Sequence, residues 1–244
     1  MRLIHRRSEI ELHILREGEG LPLLLLHELG GSASDWSVDS VENWPGPVHA
    51  LDFAGHGASC SLKGGGYYTE HFLGDADIAL SVICAEGECA VAGAGIGAYV
   101  ALLLAGARRN HVLAAMLLPG RGLSGGGSIP KVQDRAYTNL DEWDALTAEC
   151  AARYLPGTDP MVAACELDTR PEEYVREFVK GARRLILSEA VCVGDDVPPW
   201  WHLATEAPSS QLAPAGQEAS AGKLETTHFG NALDRMLHAG RKWK

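Results

Sequence analysis

The sequence is short of several features that mark large classes of protein. Its 244 residues include six cysteines, which form neither a CxxC pair nor a Cys/His cluster of the zinc-binding kind. Aromatic residues make up 7% of the chain, and no apolar run reaches the ~18 residues that a membrane-spanning helix needs. We therefore expect no metal site and no membrane span, with cysteines that are mostly buried small hydrophobes.

Positive charge is also scarce. The chain has 21 Lys and Arg against 32 Asp and Glu, a formal net charge of −11, which repels phosphate backbones and anionic lipid headgroups. We expect no nucleic acid or membrane partner, but a small-molecule substrate or ligand bound by a monomer or homodimer. The basic start at 1–8 runs into an alternating segment rather than an apolar signal region, so we expect a cytoplasmic protein.

What the chain does contain is an alternation of short apolar runs and helical stretches. The composition, 46% hydrophobic, is that of one globular domain. An alternating segment at 10–15 predicts a half-exposed edge strand, and 69–84 predicts a helix. The other predicted strands lie at 21–26, 48–53, 89–92, 114–118, 190–193 and 223–227. This order predicts a mostly parallel sheet covered by helices, with a core at 1–127 and 189–244 and a helical cap at 128–188.

Three motifs follow predicted strands. HELGGS (27–32) ends the first buried run, DFAGHGAS (52–59) ends the next, and GAGIG (93–97) forms a tight strand-to-helix turn. Glycines at such turns permit close packing and positive φ angles. Each motif alone is a weak signal, but the three motifs together, in this order and at this spacing, are a strong one.

Together these motifs resemble the α/β-hydrolase family, from about Leu12 to Leu237. The resemblance implies that fold and chemistry on an ester-, acyl- or carbonyl-type substrate. The 93–97 turn stands where the family has its nucleophile elbow, Gly-x-Ser-x-Gly. Here Gly95 occupies the serine position, and Glu28 stands where the family usually has glycine. Glycine adopts the strained elbow conformation freely, so we expect the turn to survive without a nucleophile.

The resemblance also implies the remaining members of a catalytic site. His228 matches the catalytic histidine, and either Asp196 or Asp195 would orient it, although both aspartates also suit a turn before proline. The backbone N–H groups of Leu29 and Ile96 would form the oxyanion hole. Tyr137, Trp143 and Trp200 either line a substrate pocket or pack in the core.

Some features have a second interpretation. The 93–98 string also fits a dinucleotide fingerprint, but that motif needs an acidic residue ~20 positions later, where the chain has Pro119, Gly120 and Arg121. We therefore expect no nucleotide and no other cofactor. His27 and His56 are better suited to anchoring loops by hydrogen bonds than to catalysis.

Three functions remain open. The protein is an enzyme that uses a His–Asp pair and the oxyanion hole without a serine, or a serine esterase or amidase silenced by glycine at position 95, or a non-catalytic ligand-binding homologue. Ala94 and Ile96 also differ from the residues that usually flank the family's serine, which favours a naturally diverged elbow over an introduced substitution.

Overall fold

The computed structural model describes residues 1–6, 8–64, 66–84, 87–125, 140–188 and 197–213, with backbone alone at 40, 140–143, 146 and 213. Within these residues one eight-stranded sheet has the order β1-β2-β4-β3-β5-β6-β7-β8. The strands are β1 (Arg2–His5), β2 (Ser8–Arg16), β3 (Leu23–Leu26), β4 (Val48–Asp52), β5 (Cys89–Ala94), β6 (Val112–Leu118), β7 (Leu185–Ser188) and β8 (Ser210–Ala213).

Helices flank this sheet. The α-helices of the described residues are α1 (Thr69–Ile83), α2 (Ile96–Ala107), α3 (Leu140–Ala151), α4 (Ala164–Leu167), α5 (Glu172–Gly181) and α6 (Pro199–Thr205), and 3-10 turns cover Ala33–Asp35, Val38–Val41 and Pro160–Ala163. Helix α2 is buried along most of its length and packs against β5, β6, α1 and α5. The fold is therefore a mostly parallel sheet between layers of helix, as predicted.

The sheet is antiparallel at one end only. β1 pairs with β2 and β2 with β4 in antiparallel register, while β4, β3, β5, β6, β7 and β8 run parallel. The continuous apolar strands β3 and β5 are fully buried, as expected for parallel strands covered on both faces. β2 shows the predicted alternation of burial, but it is not the edge strand, because β1 pairs along its outer side.

The predicted elements differ from the observed ones after residue 140. Strand β7 covers Leu185–Ser188, so the C-terminal end of the predicted 128–188 cap belongs to the sheet, while the strand predicted at 190–193 lies outside the described residues. Helix α5, from the same segment, packs on α2. Strand β8 was not predicted, and the strand predicted at 223–227 lies outside the described residues. The division into core and cap stays a prediction.

Because β3 to β8 are parallel, their carboxyl ends meet at one edge of the sheet. The loops after β3, β4, β5 and β6 therefore come together there, and residues 150–170 pack against them. The Leu155 N–H donates to the Gly30 carbonyl at 2.8 Å and the Asp159 N–H to the Gly55 carbonyl at 2.8 Å. Among the described helices none is both long and apolar enough to cross a bilayer.

Candidate functional site

The turn between β5 and α2 has the conformation of a nucleophile elbow. Gly95 adopts φ 56° and ψ −121°, which strains any residue with a side chain. A Cβ at Gly93 would lie 2.0 Å from the Gly97 carbonyl oxygen, and one at Gly97 would lie 2.4 Å from the Leu26 oxygen. The outer glycines are thus required by packing, and the predicted turn is present.

The loop after β6, residues 120–122, lies directly on this elbow. A Cβ added at Gly95 would stand 2.0 Å from the backbone oxygen of Arg121 and 2.8 Å from its nitrogen. Gly120, at φ 155°, also lies close to Gly95, because a Cβ added at Gly120 would stand 2.8 Å from the Gly95 nitrogen. A serine at position 95 therefore has no room unless the 120–122 loop moves.

The two predicted oxyanion donors converge on one oxygen atom. The Leu29 N–H donates to the Arg121 carbonyl at 3.2 Å, and the Ile96 N–H donates to the same carbonyl at 2.9 Å. Two backbone donors aimed at one point are the geometry that holds a tetrahedral oxyanion. In this structure the oxygen at that point belongs to the chain itself.

Glu28 holds the same loop from the side. Its Oε2 accepts the Arg121 backbone N–H at 2.8 Å, and its Oε1 lies 2.6 Å from Arg121 Nη2. The Arg121 guanidinium also donates to the carbonyls of Leu29 at 3.0 Å and Arg153 at 2.9 Å. Glu28 and Gly95, the two departures from the family pattern, therefore belong to one arrangement that seats Arg121 on the elbow.

Two buried side chains fix the loop from its far end. Arg170, 2% exposed, donates from Nη2 to the Gly122 carbonyl at 3.1 Å, and Trp200 donates from Nε1 to the Leu123 carbonyl at 3.0 Å. Trp200 packs edge-on against Tyr99 and Trp201 and is 1% exposed. The structure thus places Trp200 in the core, which is the packing alternative rather than a pocket wall.

His27 and His56 brace the loops of the site as neutral imidazoles. His27 Nε2 accepts the Phe53 N–H at 3.1 Å, and His56 Nε2 accepts the Gly30 N–H at 3.1 Å. Burial lowers the pKa of His27 to about 4 and that of His56 to about 3. The prediction that they anchor loops is confirmed.

Asp52, which opens the second motif, also has a structural role. Its Oδ1 accepts the Ala33 N–H at 2.6 Å, and its Oδ2 accepts the Ala58 N–H at 2.8 Å and lies 2.8 Å from His13 Nε2. The carboxylate therefore ties the loops after β3 and β4 to β2.

The remaining predicted site residues are not described. Asp195, Asp196, His228 and Tyr137 lie outside the described residues, and of Trp143 only the backbone in α3 is described. In chain order the two aspartates follow β7 and His228 follows β8. The structure therefore brings together Leu29, Gly95 and Ile96 and does not test the other members.

Sequence reasoning missed Arg121. The available signal was the Gly-Arg-Gly run directly after the apolar strand β6, together with the unusual Glu28 after β3, which lies two strands away in the same parallel sheet. Parallel strands end at one edge, and side chains as long as glutamate and arginine can meet there across the strand β5 between them. The pairing of these two opposite charges does not follow from either motif alone.

No known sequence-family model matches the chain, and no curated protein matches it in sequence. Solved structures do match. An esterase from Rhodococcus sp. ECU1013 has TM-score 0.67 at 19% identity, with 98% of each chain covered. An alpha/beta hydrolase from Sphaerobacter thermophilus DSM 20745 has TM-score 0.65 at 16% identity, covering 97% of this chain and 100% of that one.

A third similar structure is the bottromycin epimerase BotH in complex with bottromycin A2, with TM-score 0.59 at 18% identity, covering 99% of this chain and 96% of that one. Identities this low establish the fold and leave the activity open. With its mostly parallel sheet and its elbow between β5 and α2, the chain has the α/β-hydrolase fold.

Proposed function

We propose that the protein acts on a small organic carbonyl-type substrate by proton transfer, without an acyl-enzyme, and that His228 is the general base. The observation that carries the proposal is the contact between Gly95 and the Arg121 carbonyl. Hydrolysis by the family's usual route needs a nucleophile at position 95 and an open oxyanion hole. The described site offers no room for the first and fills the second with its own backbone.

The third part of hydrolase chemistry is the base. In chain order Asp195 and Asp196 come after β7 and His228 comes after β8, and a His–Asp pair is the part of this chemistry that the sequence retains. Asp196 or Asp195 would hold the imidazole in the tautomer that accepts a proton. The neighbour named an epimerase supports this class, because inverting a carbon stereocentre by proton transfer needs a base and no acyl-enzyme.

The filled oxyanion hole is compatible with this chemistry if a substrate oxygen replaces the Arg121 carbonyl oxygen. A substrate oxygen that displaces the Arg121 carbonyl would regain both hydrogen bonds, from Leu29 and Ile96. As the proton leaves carbon, that oxygen becomes charged, and hydrogen bonds to a charged acceptor are about twice as strong as those to a neutral carbonyl. The enolate-like transition state would thus be held more tightly than the bound ground state, which is the condition for catalysis.

A second candidate is a non-catalytic ligand-binding protein. The observation that favours it is the same self-filled hole: both donors are already satisfied, so nothing in the described site needs a substrate oxyanion. This candidate predicts saturable ligand binding without turnover.

Deuterium exchange separates the two candidates. The protein is incubated in D₂O with a panel of short acyl esters, thioesters and ketones, and loss of the C–H signal next to the carbonyl is followed by proton NMR. We expect exchange in at least one compound, and its loss in His228→Ala. Binding of a panel compound without exchange supports the second candidate, and exchange unchanged in His228→Ala contradicts the role of His228.

Ester hydrolysis tests the missing acyl-enzyme. With p-nitrophenyl acetate we expect the wild type to show no turnover above the uncatalysed rate, and Gly95→Ser to stay within about tenfold of that rate, because the new side chain overlaps the Arg121 carbonyl. A gain of several orders of magnitude in Gly95→Ser would identify a silenced serine esterase instead. His228→Ala in the same background is the control for any activity gained.

A further inference from the structure

Three metal-binding side chains meet away from the elbow. His5 ends β1, while His71 and Asp75 lie one turn apart near the start of α1. Their possible ligand atoms, one from each residue, all lie within 4.8 Å of one another. We call these three residues the histidine cluster. His5 and Asp75 stand 70 residues apart in the sequence, which is why no spacing motif revealed the cluster.

The carboxylate of the cluster is held in a fixed orientation. Asp75 is fully buried, and its Oδ2 accepts the Ala54 N–H at 2.9 Å. Its Oδ1 is therefore directed to the two imidazoles, 2.5 Å from His5 Nδ1 and 3.8 Å from His71 Nε2. Orientation of one carboxylate oxygen by a backbone donor is the kind of support that metal ligands receive.

His71 leaves a donor atom unused. Its Nε2 is buried and has no hydrogen-bond partner among the residues that the structure describes. A buried nitrogen without a partner needs an explanation, because such groups are rare.

We propose that His5, His71 and Asp75 bind a divalent transition-metal ion, with zinc the best match. Two imidazoles and a carboxylate are zinc ligands, whereas Mg²⁺ and Ca²⁺ prefer oxygen alone. Zinc bonds of 2.0–2.2 Å in a tetrahedron separate neighbouring donors by roughly 3.3 Å. His5 and Asp75 would move apart from 2.5 Å and His71 would move in from 3.8 Å, small side-chain rotations in each case. A water would complete the coordination.

The bound ion would have a structural role. β1 is the edge strand, paired on one side to β2, and His5 joins it to α1. A metal held by both elements binds the folded chain and not the unfolded one, so it raises the melting temperature. The site is independent of the proposed proton transfer, since it uses neither Gly95 nor His228.

The test is a titration of the full-length, metal-free protein with Co²⁺, followed by displacement with Zn²⁺. Tetrahedral Co²⁺ absorbs visible light when imidazole nitrogens coordinate it, so the spectrum reports the ligands. We expect one equivalent of Co²⁺ to bind the wild type and Zn²⁺ to displace it. His71→Gln and His5→Gln should each weaken binding about 100-fold or more, while His202→Gln, on the surface of α6, should bind as the wild type does.

Thermal unfolding gives a second measurement. Zn²⁺ should raise the melting temperature of the wild type and of His202→Gln, and leave that of His71→Gln unchanged. Circular dichroism verifies that each variant is folded, and His5→Gln stands in if His71→Gln is not. Absence of stoichiometric binding by the wild type, or undiminished binding by the folded His5→Gln variant, overturns the proposal.

Discussion

The elbow and the histidine cluster satisfy their polar groups in opposite ways. At the elbow the N–H groups of Leu29 and Ile96, which a hydrolase would offer to a substrate, both donate to the Arg121 carbonyl. In the histidine cluster the Nε2 of His71 is buried without a hydrogen bond among the described residues. The first region needs no ligand to satisfy its donors, whereas the second has an unused ligand atom. A motif can therefore keep its geometry while its donors serve the fold.

The two regions also differ in how many contacts must break before a ligand enters. The 120–122 loop is held by Glu28, Arg170 and the two oxyanion donors together. The histidine cluster needs one hydrogen bond, between His5 and Asp75, to open. We expect changes around the elbow to act on stability first, and changes in the cluster to act on metal binding first.

Acid should have the largest effect on the loops around the elbow. His27 and His56 have pKa values of about 4 and about 3, below the ordinary 6.5 of an unfolded chain. As pH falls from 6.5 towards 4, the unfolded chain takes up protons that the folded chain does not. Each histidine then lowers the free energy of unfolding by at most about 1.4 kcal/mol per pH unit, and integration from pH 6.5 to pH 4 gives a loss of roughly 5 kcal/mol for the two together.

Urea unfolding at several pH values between 7 and 4 measures this loss. The double variant His27→Gln/His56→Gln keeps side chains that donate and accept but do not titrate, so its stability should depend less steeply on pH. His202→Gln, exposed on α6, should retain the wild-type dependence. An equal slope in the wild type and the double variant would contradict the assignment.

Arg170→Met tests the buried end of the loop. The guanidinium donates to the carbonyls of Asp168, Thr169, Gly122 and Cys165. Methionine fills much of the volume but leaves these acceptors and the nearby Asp168 carboxylate without their cation, so we expect a loss of roughly 4 kcal/mol in chemical unfolding. Arg183→Met, which removes a surface pair with Glu88, should change stability by less than about 1 kcal/mol. Similar losses in the two variants would show that burial of Arg170 has no special weight.

Gly95→Ser tests the overlap at the elbow itself. Strain at φ 56° and the 2.0 Å approach to the Arg121 oxygen together predict a loss of roughly 3 kcal/mol. Gly64→Ser is the matched control, because Gly64 has φ 93° but nothing within 4 Å of an added Cβ, so it should lose about 1 kcal/mol. Equal losses of the two variants in urea unfolding would mean that the 120–122 loop moves away from the new side chain at no cost in free energy.

Much of the fold follows from local patterns in the sequence. The continuous apolar runs of β3 and β5 predict buried parallel strands. The glycines at positions 93 and 97 predict the tight turn after β5. Prediction failed for β7 and β8. The sequence of β8 (Ser210–Ala213) is half polar, β7 (Leu185–Ser188) directly follows a helical segment, and the pairing of both strands depends on the rest of the sheet.

The position of the candidate site was predictable from the sequence. That the Arg121 carbonyl fills its oxyanion hole was not. The motifs locate the convergence of Leu29 and Ile96, since backbone donors depend on the turn and not on side chains. The oxygen that accepts both hydrogen bonds belongs to Arg121, which lies 25 residues after Ile96 in the sequence. Its position depends on the 120–122 loop and on the contact of that loop with Glu28. The histidine cluster depends on a contact between residues 70 positions apart in the sequence, and local periodicity does not predict such contacts.

The smallest expected effect is the coupling between Glu28 and Gly95. The three atoms nearest to a Cβ added at Gly95 belong to Gly120 and Arg121, and Glu28 binds Arg121, so we expect the coupling to pass through this loop. Glu28→Gln alone should cost about 0.5–1 kcal/mol, because the Glu28 and Arg121 side chains are 28% and 33% exposed and solvent screens the pair.

In the Glu28→Gln background the 120–122 loop is held less firmly, so Gly95→Ser should destabilise by less than it does in the wild type. A double-mutant cycle in urea should give a coupling of about 1 kcal/mol in that direction. Glu42→Gln, which removes an acidic residue away from the loop, should be additive with Gly95→Ser. Additivity in both cycles would mean that Glu28 does not seat Arg121 on the elbow, and that the elbow is filled for reasons independent of its charge pair.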